Sequence, residues 1–160
     1  MNILKCSISD DINFCLAKEL IKNKYTKYEY YLIKKGLKEF YNIDSFNLYY
    51  TNNGKPYLDN DIYISISHSE DIVVVVLDIV PVGVDVQFYK EITSSFKEVL
   101  GINTNDMKET IDIFSKKEAI LKLNGDVFKN INNYNINDYV FETIYDDYYV
   151  INCAKECQRN

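Results

Sequence analysis

The stretch IVVVVLDIVPVGVDVQ, residues 72–87, limits the fold more than any other part of the chain. Val and Ile dominate it, and β-branched side chains suit a pleated strand better than a helix. Its apolar runs, 72–77 and 79–84 around Asp78, are too short to cross a bilayer as a helix. Two strands are therefore expected, broken at Pro81. In the second, Val80, Val82, Val84 and Val86 alternate as a core-facing side, which puts Gly83, Asp85 and Gln87 on the opposite face. The Asp85 and Gln87 side chains leave that face about 6.5–7 Å apart, close enough for one hard cation to meet both. A face turned to water explains the same pattern, and the strand alone does not choose.

Around these strands the period changes twice. Asp10 and Asp11 can cap a helix carrying Ile12, Leu16 and Leu20, and a second helix is expected over 27–41 with Tyr28, Tyr31, Leu32 and Phe40 on one side. A strand at 45–51, a turn-rich loop TNNGKPYLDN and a strand alternating Ile62, Ile64 and Ile66 with Tyr63, Ser65 and Ser67 follow. Helical spacing returns at 91–100 and 107–124, and Gly101 and Gly125 suit the two C-terminal ends. Two strands around Asp146-Asp147 close the chain. The order reads helix–helix–strands twice over. It predicts an α+β fold of two similar halves, 1–80 and 81–160, with antiparallel strands and packed helices in one compact unit.

A chain that is 47% hydrophobic and 26% charged can bury such a core. Its net charge of −6 argues against non-specific nucleic-acid binding, yet allows a local phosphate site built from a few lysines. The four cysteines contain no CxxC and the lone His68 lies far from all of them in sequence, so a zinc site is not expected. Free thiols, an N-terminus too polar for a secretory signal and the lack of a spanning segment point to a cytoplasmic protein without a membrane partner.

Three clusters can carry chemistry. Asp85 and Gln87 are the first. The second is FSKKEAILKLNG, where Phe114, Glu118 and Lys122 share a helix side and Glu118–Lys122 is a favourable i,i+4 pair. The third is SISHSED with the preceding Gly54-Lys55-Pro56, whose hydroxyls, imidazole and ammonium could cradle a phosphate. Singly, each also reads as ordinary: a solvated carboxylate, a surface ion pair, a satisfied histidine. The common nucleotide loops and the GxSxG elbow are absent.

Taken in order, GKPYL, ISISHS, GVDV and FSKKEAILK resemble the 4′-phosphopantetheinyl transferases of the surfactin-synthetase-activating type, over residues 54 to 122. The resemblance implies a pseudo-twofold α+β fold, a monomer, with coenzyme A bound between the halves. It implies Mg²⁺ and transfer of the phosphopantetheine arm to a serine of an acyl or peptidyl carrier protein of fatty-acid, polyketide or nonribosomal peptide synthesis. By the same likeness Asp85 and Glu118 are metal ligands with Gln87 beside them, and Glu118 is the base for the serine. Lys122 would offset phosphoryl charge, Lys117 would contact phosphate or carrier, and Lys55, Ser67 and His68 would hold the 3′-phosphoadenosine end. Three positions depart from the family pattern. Gln87 replaces a usual Glu, Asp126 stands where a basic residue is common, and the N-terminal arginines that meet the 3′-phosphate are missing. Arg159 is the chain's one arginine. Lys24, Lys27, Lys34 and Lys35 could replace them only as point charges. These departures leave open a protein that binds coenzyme A or a carrier without chemistry; a Mg²⁺-dependent phosphohydrolase on another fold is the third reading. Carriers are usually acidic, as this chain is, so an interface centred on apolar side chains is expected.

Overall fold

The β-branched run folds as the central strand β5 (Ile72–Asp78), hydrogen-bonded on both sides in a computed structural model that describes residues 1–157. Arg159 lies outside the described residues. Strands β1 (Asn2–Ser7) and β4 (Tyr63–Ser69) flank β5, both antiparallel, giving the order β1-β5-β4. The second sheet joins β6 (Gly83–Phe88), β8 (Tyr149–Glu156) and β7 (Tyr139–Tyr145) in the order β6-β8-β7, again all antiparallel. Helix α1 (Thr26–Tyr41) follows the first strand of one sheet, and α3 (Met107–Asn124) follows the first strand of the other. Both sheets thus share one connectivity: strand, helix, strand, strand, with the last strand in the middle. A small hairpin, β2 (Leu48–Tyr50) with β3 (Pro56–Leu58), interrupts the first set, and α2 (Ser94–Leu100) the second. The fold is α+β with antiparallel sheets, as expected.

Alternation along β5 sets the layers. Val73, Val75 and Leu77 pack with Leu32, Ile33 and Leu37 of α1, whereas Val74 and Val76 meet Val84, Val86, Ile151 and Cys153 of the second sheet. On that sheet's far side, Ala119, Ile120 and Leu123 of α3 pack against Ala154. The layers run α1, sheet, sheet, α3. Strand β6 is therefore covered on both faces, by β5 on the valine side and by α3 on the other. Asp85 is only 2% exposed. The solvent-facing reading of its face is excluded.

The two sheets also meet along an edge. Ser65 Oγ accepts the Val84 N–H at 2.9 Å, and Ser67 Oγ accepts the Val86 N–H at 3.2 Å. Side chains of β4 thus satisfy backbone donors of β6 that β8 does not pair. Ser65→Ala should strand the Val84 N–H in the core and destabilise the protein by about 1–3 kcal/mol, the desolvation penalty of an unpaired buried group. Urea denaturation of the two proteins measures this; an unchanged midpoint would mean that the seam does not need this bond.

Several local expectations change. The helix expected from Asp10 to Leu20 is absent: the segment holds only a 3₁₀ turn at Lys18–Leu20, and Asp10 accepts the Ser7 N–H in a turn. One apolar residue per turn buries too little to hold a helix there, and Leu20 stays exposed. The strand β1 was not expected, because Asn2–Ser7 owes its conformation to pairing with β5. The turn-rich loop contains β3, with Gly54 at φ 81° in the turn. The helices 27–41, 91–100 and 107–124 are present within a few residues, and Gly101 and Gly125 both close them at φ 64°. All four cysteines are free. Among the described residues no helix is long and apolar enough to cross a membrane.

Candidate active site

Gly83 sets the distance between strand and helix. A Cβ there would stand 2.0 Å from the Ala119 carbonyl oxygen and 2.5 Å from the Leu123 nitrogen, so α3 lies directly on the β6 backbone. This close approach carries Glu118 and Lys122, one turn apart on α3, to the face where Asp85 emerges two residues after Gly83. Opposite Asp85 in register, the buried Asn152 donates to Asp112 of α3 at 3.0 Å, a second polar link between helix and sheet.

Asp85 is the hub. Lys122 Nζ lies 2.7 Å from its Oδ1 and donates to Ser67 Oγ at 2.8 Å, while Ser67 itself donates to Asp85 Oδ1 at 3.1 Å. With the Val86 N–H, Ser67 uses its one donor and both acceptor positions. Gln87 donates its amide nitrogen to Asp85 Oδ2 at 3.0 Å. The i,i+4 pairing expected between Glu118 and Lys122 does not form; the ammonium turns to Asp85 instead. Glu118 consequently has no hydrogen bond or ion pair through its carboxylate among the described residues. Burial pushes its carboxyl above the usual range, the Asp85 charge adds to this, and Lys122 opposes it. A carboxylate that is half-protonated closer to neutrality, unpaired and facing a cleft can accept a proton.

The cleft has a volume of about 510 Å³. Ser67, His68, Asp85, Gln87, Glu118 and Lys122 line one side of it. His68 stacks on Tyr25, with ring centres 3.9 Å apart and planes within 10°, and its pKa is held down by burial and then by the nearby Lys122 charge. Two expected members of the site lie elsewhere. Lys55 donates to the Leu123 carbonyl near the end of α3 and borders a neighbouring cavity of about 280 Å³. Lys117 donates to Asn132 at 2.7 Å and does not line the cleft. Burial lowers the pKa of both lysines. Asp126 accepts from Tyr134, Asn130 and the Val127 N–H, which hold its pKa down, so it braces its own loop.

The opposite wall was missed by sequence reasoning. It comes from the start of α1 and from β2: Lys22, Asn23, Thr26, Glu29 and Tyr50. Asn23 caps the helix by accepting the Tyr25 and Thr26 N–H groups, and Lys22 Nζ sits 4.1 Å from the Tyr50 ring centre. One signal was present. Glu29 precedes Leu32, Ile33, Gly36 and Leu37 at helical spacing, a carboxylate on the buried stripe of α1.

No family model matches the chain. It is 39% identical over 69 residues to "4′-phosphopantetheinyl transferase gsp" of Aneurinibacillus migulanus, a stretch covering 42% of this chain. The likeness supports the 4′-phosphopantetheinyl transferase superfamily. The matched stretch spans only 29% of that relative's length.

Among the described residues no three or more His, Cys, Asp or Glu side chains form a ready metal cage. Asp85 and Glu118 nevertheless offer hard oxygen donors, and their mutual repulsion is what a cation would relieve. This donor set fits Mg²⁺, which is typically held by one or two carboxylates and keeps much of its water.

Proposed function

We propose that this protein transfers the 4′-phosphopantetheine arm of coenzyme A to a serine of an apo acyl or peptidyl carrier protein, releasing 3′,5′-ADP. The observation that carries the proposal is the unpaired, half-buried Glu118 beside the Asp85–Lys122–Ser67 cluster in a cleft between α1 and α3. The resemblance of the surrounding motifs and the partial likeness to the Aneurinibacillus migulanus protein support it.

In this reading the serine Oγ–phosphorus bond forms as the bond from that phosphorus to the bridging oxygen breaks. The electron pair leaves with 3′,5′-ADP and the serine proton passes to Glu118. Asp85 and Glu118, with Gln87 beside them, would hold Mg²⁺, which would supply charge neutralisation at the diphosphate. Lys122, poised between Asp85 and Ser67, turns part of its charge to the transferred phosphoryl group. Neutral His68, flat against Tyr25, offers an aromatic surface and a ring nitrogen to the nucleoside. Lys117, outside the cleft, would meet the carrier, and Lys55 holds the end of α3 through the Leu123 carbonyl. One chain supplies both walls, which supports a monomer, and free thiols suit a cytoplasmic setting.

Mass spectrometry of several apo carriers incubated with the protein, coenzyme A and Mg²⁺ is the test. A phosphopantetheine mass gain on the carrier serine is the expected result. Coenzyme A binding without any gain would replace the transferase by a binding protein. Gln87→Glu should tighten the Mg²⁺ dependence without being required for turnover, because it adds a negative donor beside Asp85. A Mg²⁺ titration of the rate checks this, and an unchanged titration in Gln87→Ala would put this side chain away from the metal.

A further inference from the structure

Asp85 already holds a positive charge. Its Oδ1 accepts the Lys122 ammonium at 2.7 Å and the Ser67 hydroxyl at 3.1 Å, which fills both lone pairs of that atom. Its Oδ2 accepts the Gln87 amide at 3.0 Å. The three donors differ in freedom. Ser67 stands on β4 and is pinned by the Val86 N–H, and Gln87 stands on β6 itself. Lys122 ends a long side chain that is 32% exposed, against 3% for Asp85. It is the partner that can leave.

Any exchange has to serve both groups, since a buried carboxylate stripped of its cation is left uncompensated. The ammonium, for its part, needs another anion. Two further carboxylates line the cleft: Glu118, which the same cation would use, and Glu29, on the opposite wall beside Lys22. Lys122 therefore opposes a cation that comes to Asp85 alone. A diphosphate that comes alone meets a wall on which Asp85 and Glu118 outweigh Lys122, because Gln87 and neutral His68 add no charge. With both present the conflict disappears: Asp85 and Glu118 turn to the cation, and Lys122 turns from Asp85 to a phosphate oxygen.

Resting on the transferase reading for the chemistry of the ligand, we propose that Lys122 makes the cleft take a divalent cation and a diphosphate as a pair, each strengthening the other, by exchanging Asp85 for phosphate. Lys122 is then an internal stand-in for the cation. Ser67 and Gln87 keep Asp85 in place during the exchange, through bonds that do not depend on the ammonium. The coupling is reciprocal: whatever factor the diphosphate adds to cation affinity, the cation adds to diphosphate affinity.

Calorimetry on the full chain tests this with Mg²⁺ alone, pyrophosphate alone and Mg²⁺–pyrophosphate. The unaltered protein should bind the pair at least about tenfold more tightly than either member, one decade in Kd. Lys122→Met should move the single ligands in opposite directions. Mg²⁺ alone should bind at least about tenfold more tightly, because its competitor at Asp85 is gone, and pyrophosphate alone more weakly. A merely structural role for Lys122 would weaken both. Lys117→Met removes the same charge from the same helix outside the cleft and should leave Mg²⁺ affinity unchanged. Mg²⁺ bound no more tightly by Lys122→Met, an equal gain in Lys117→Met, or no advantage of the pair in the unaltered protein would each overturn the inference. If Lys122→Met does not fold, the advantage of the pair decides alone. Carrier modification by a protein that binds Mg²⁺ alone as tightly as the pair would overturn it and leave the transferase in place. The expected coupling without modification of any carrier would uphold it and remove the transferase.

Discussion

Glu118→Gln should slow carrier modification by about 10²–10⁴-fold, the usual contribution of a positioned general base. The amide keeps the shape of the carboxylate but cannot take the serine proton. Stability should not fall, because the substitution removes a half-buried charge that repels Asp85 and accepts no hydrogen bond of its own among the described residues. Coenzyme A binding, melting temperature and single-turnover labelling, measured together, distinguish a lost base from a lost fold. The pH dependence has a definite sign. In the metal-free protein, burial and then the Asp85 charge raise the Glu118 pKa. The same shift makes the folded protein favour the protonated carboxyl. Its stability therefore declines as pH rises from the unfolded value, about 4.3, through the folded one, and this decline should vanish in Glu118→Gln. Unchanged labelling by Glu118→Gln would remove this residue as the base.

Gly83→Ala should destabilise the protein by about 3 kcal/mol or more, at the upper end of overpacking. The new methyl would meet backbone, the Ala119 carbonyl oxygen and the Leu123 nitrogen, and helix backbone cannot rotate aside. In a domain of this size the melting temperature should drop by about 6–12 °C. Activity should fall further than stability alone explains, because α3 can make room only by carrying Glu118 and Lys122 away from Asp85. Gly36→Ala on α1 is the matched control. There the methyl would meet only the ends of Leu77 and Leu4 side chains, at 2.6 and 2.8 Å, which can repack at a cost of about 1 kcal/mol. Thermal melts and labelling rates of both variants provide the check, and equal losses would mean that the approach of α3 to β6 is not specially constrained.

Much of this was legible in local pattern. The α3 helix, the β4, β5 and β6 strands and the two glycine stops follow from spacing and from residues whose conformational preference is their own. What pairing decides was not legible. Asn2–Ser7 is a strand because β5 offers it an edge, and nothing within six mixed residues announces that. Period two placed Asp85 on the right face of β6 but could not say that a helix covers that face. Long side chains were the hardest: Lys122 reaches across 37 positions to Asp85 and leaves Glu118 alone, and Lys117 turns to Asn132. Glu29 was overlooked because a lone acid on an amphipathic helix resembles a solvated residue until the cleft it lines is seen.

The hydroxyl seam between β4 and β6 has a consequence for behaviour in concentrated solution. Both are edge strands, and an edge with free N–H groups is a template on which a second chain can extend the sheet. Ser65 and Ser67 occupy the Val84 and Val86 donors from within the same molecule, so that template is already filled. Losing both hydroxyls would leave those two donors unpaired in a seam that β4 still covers, so the cost would fall on the fold of the single molecule.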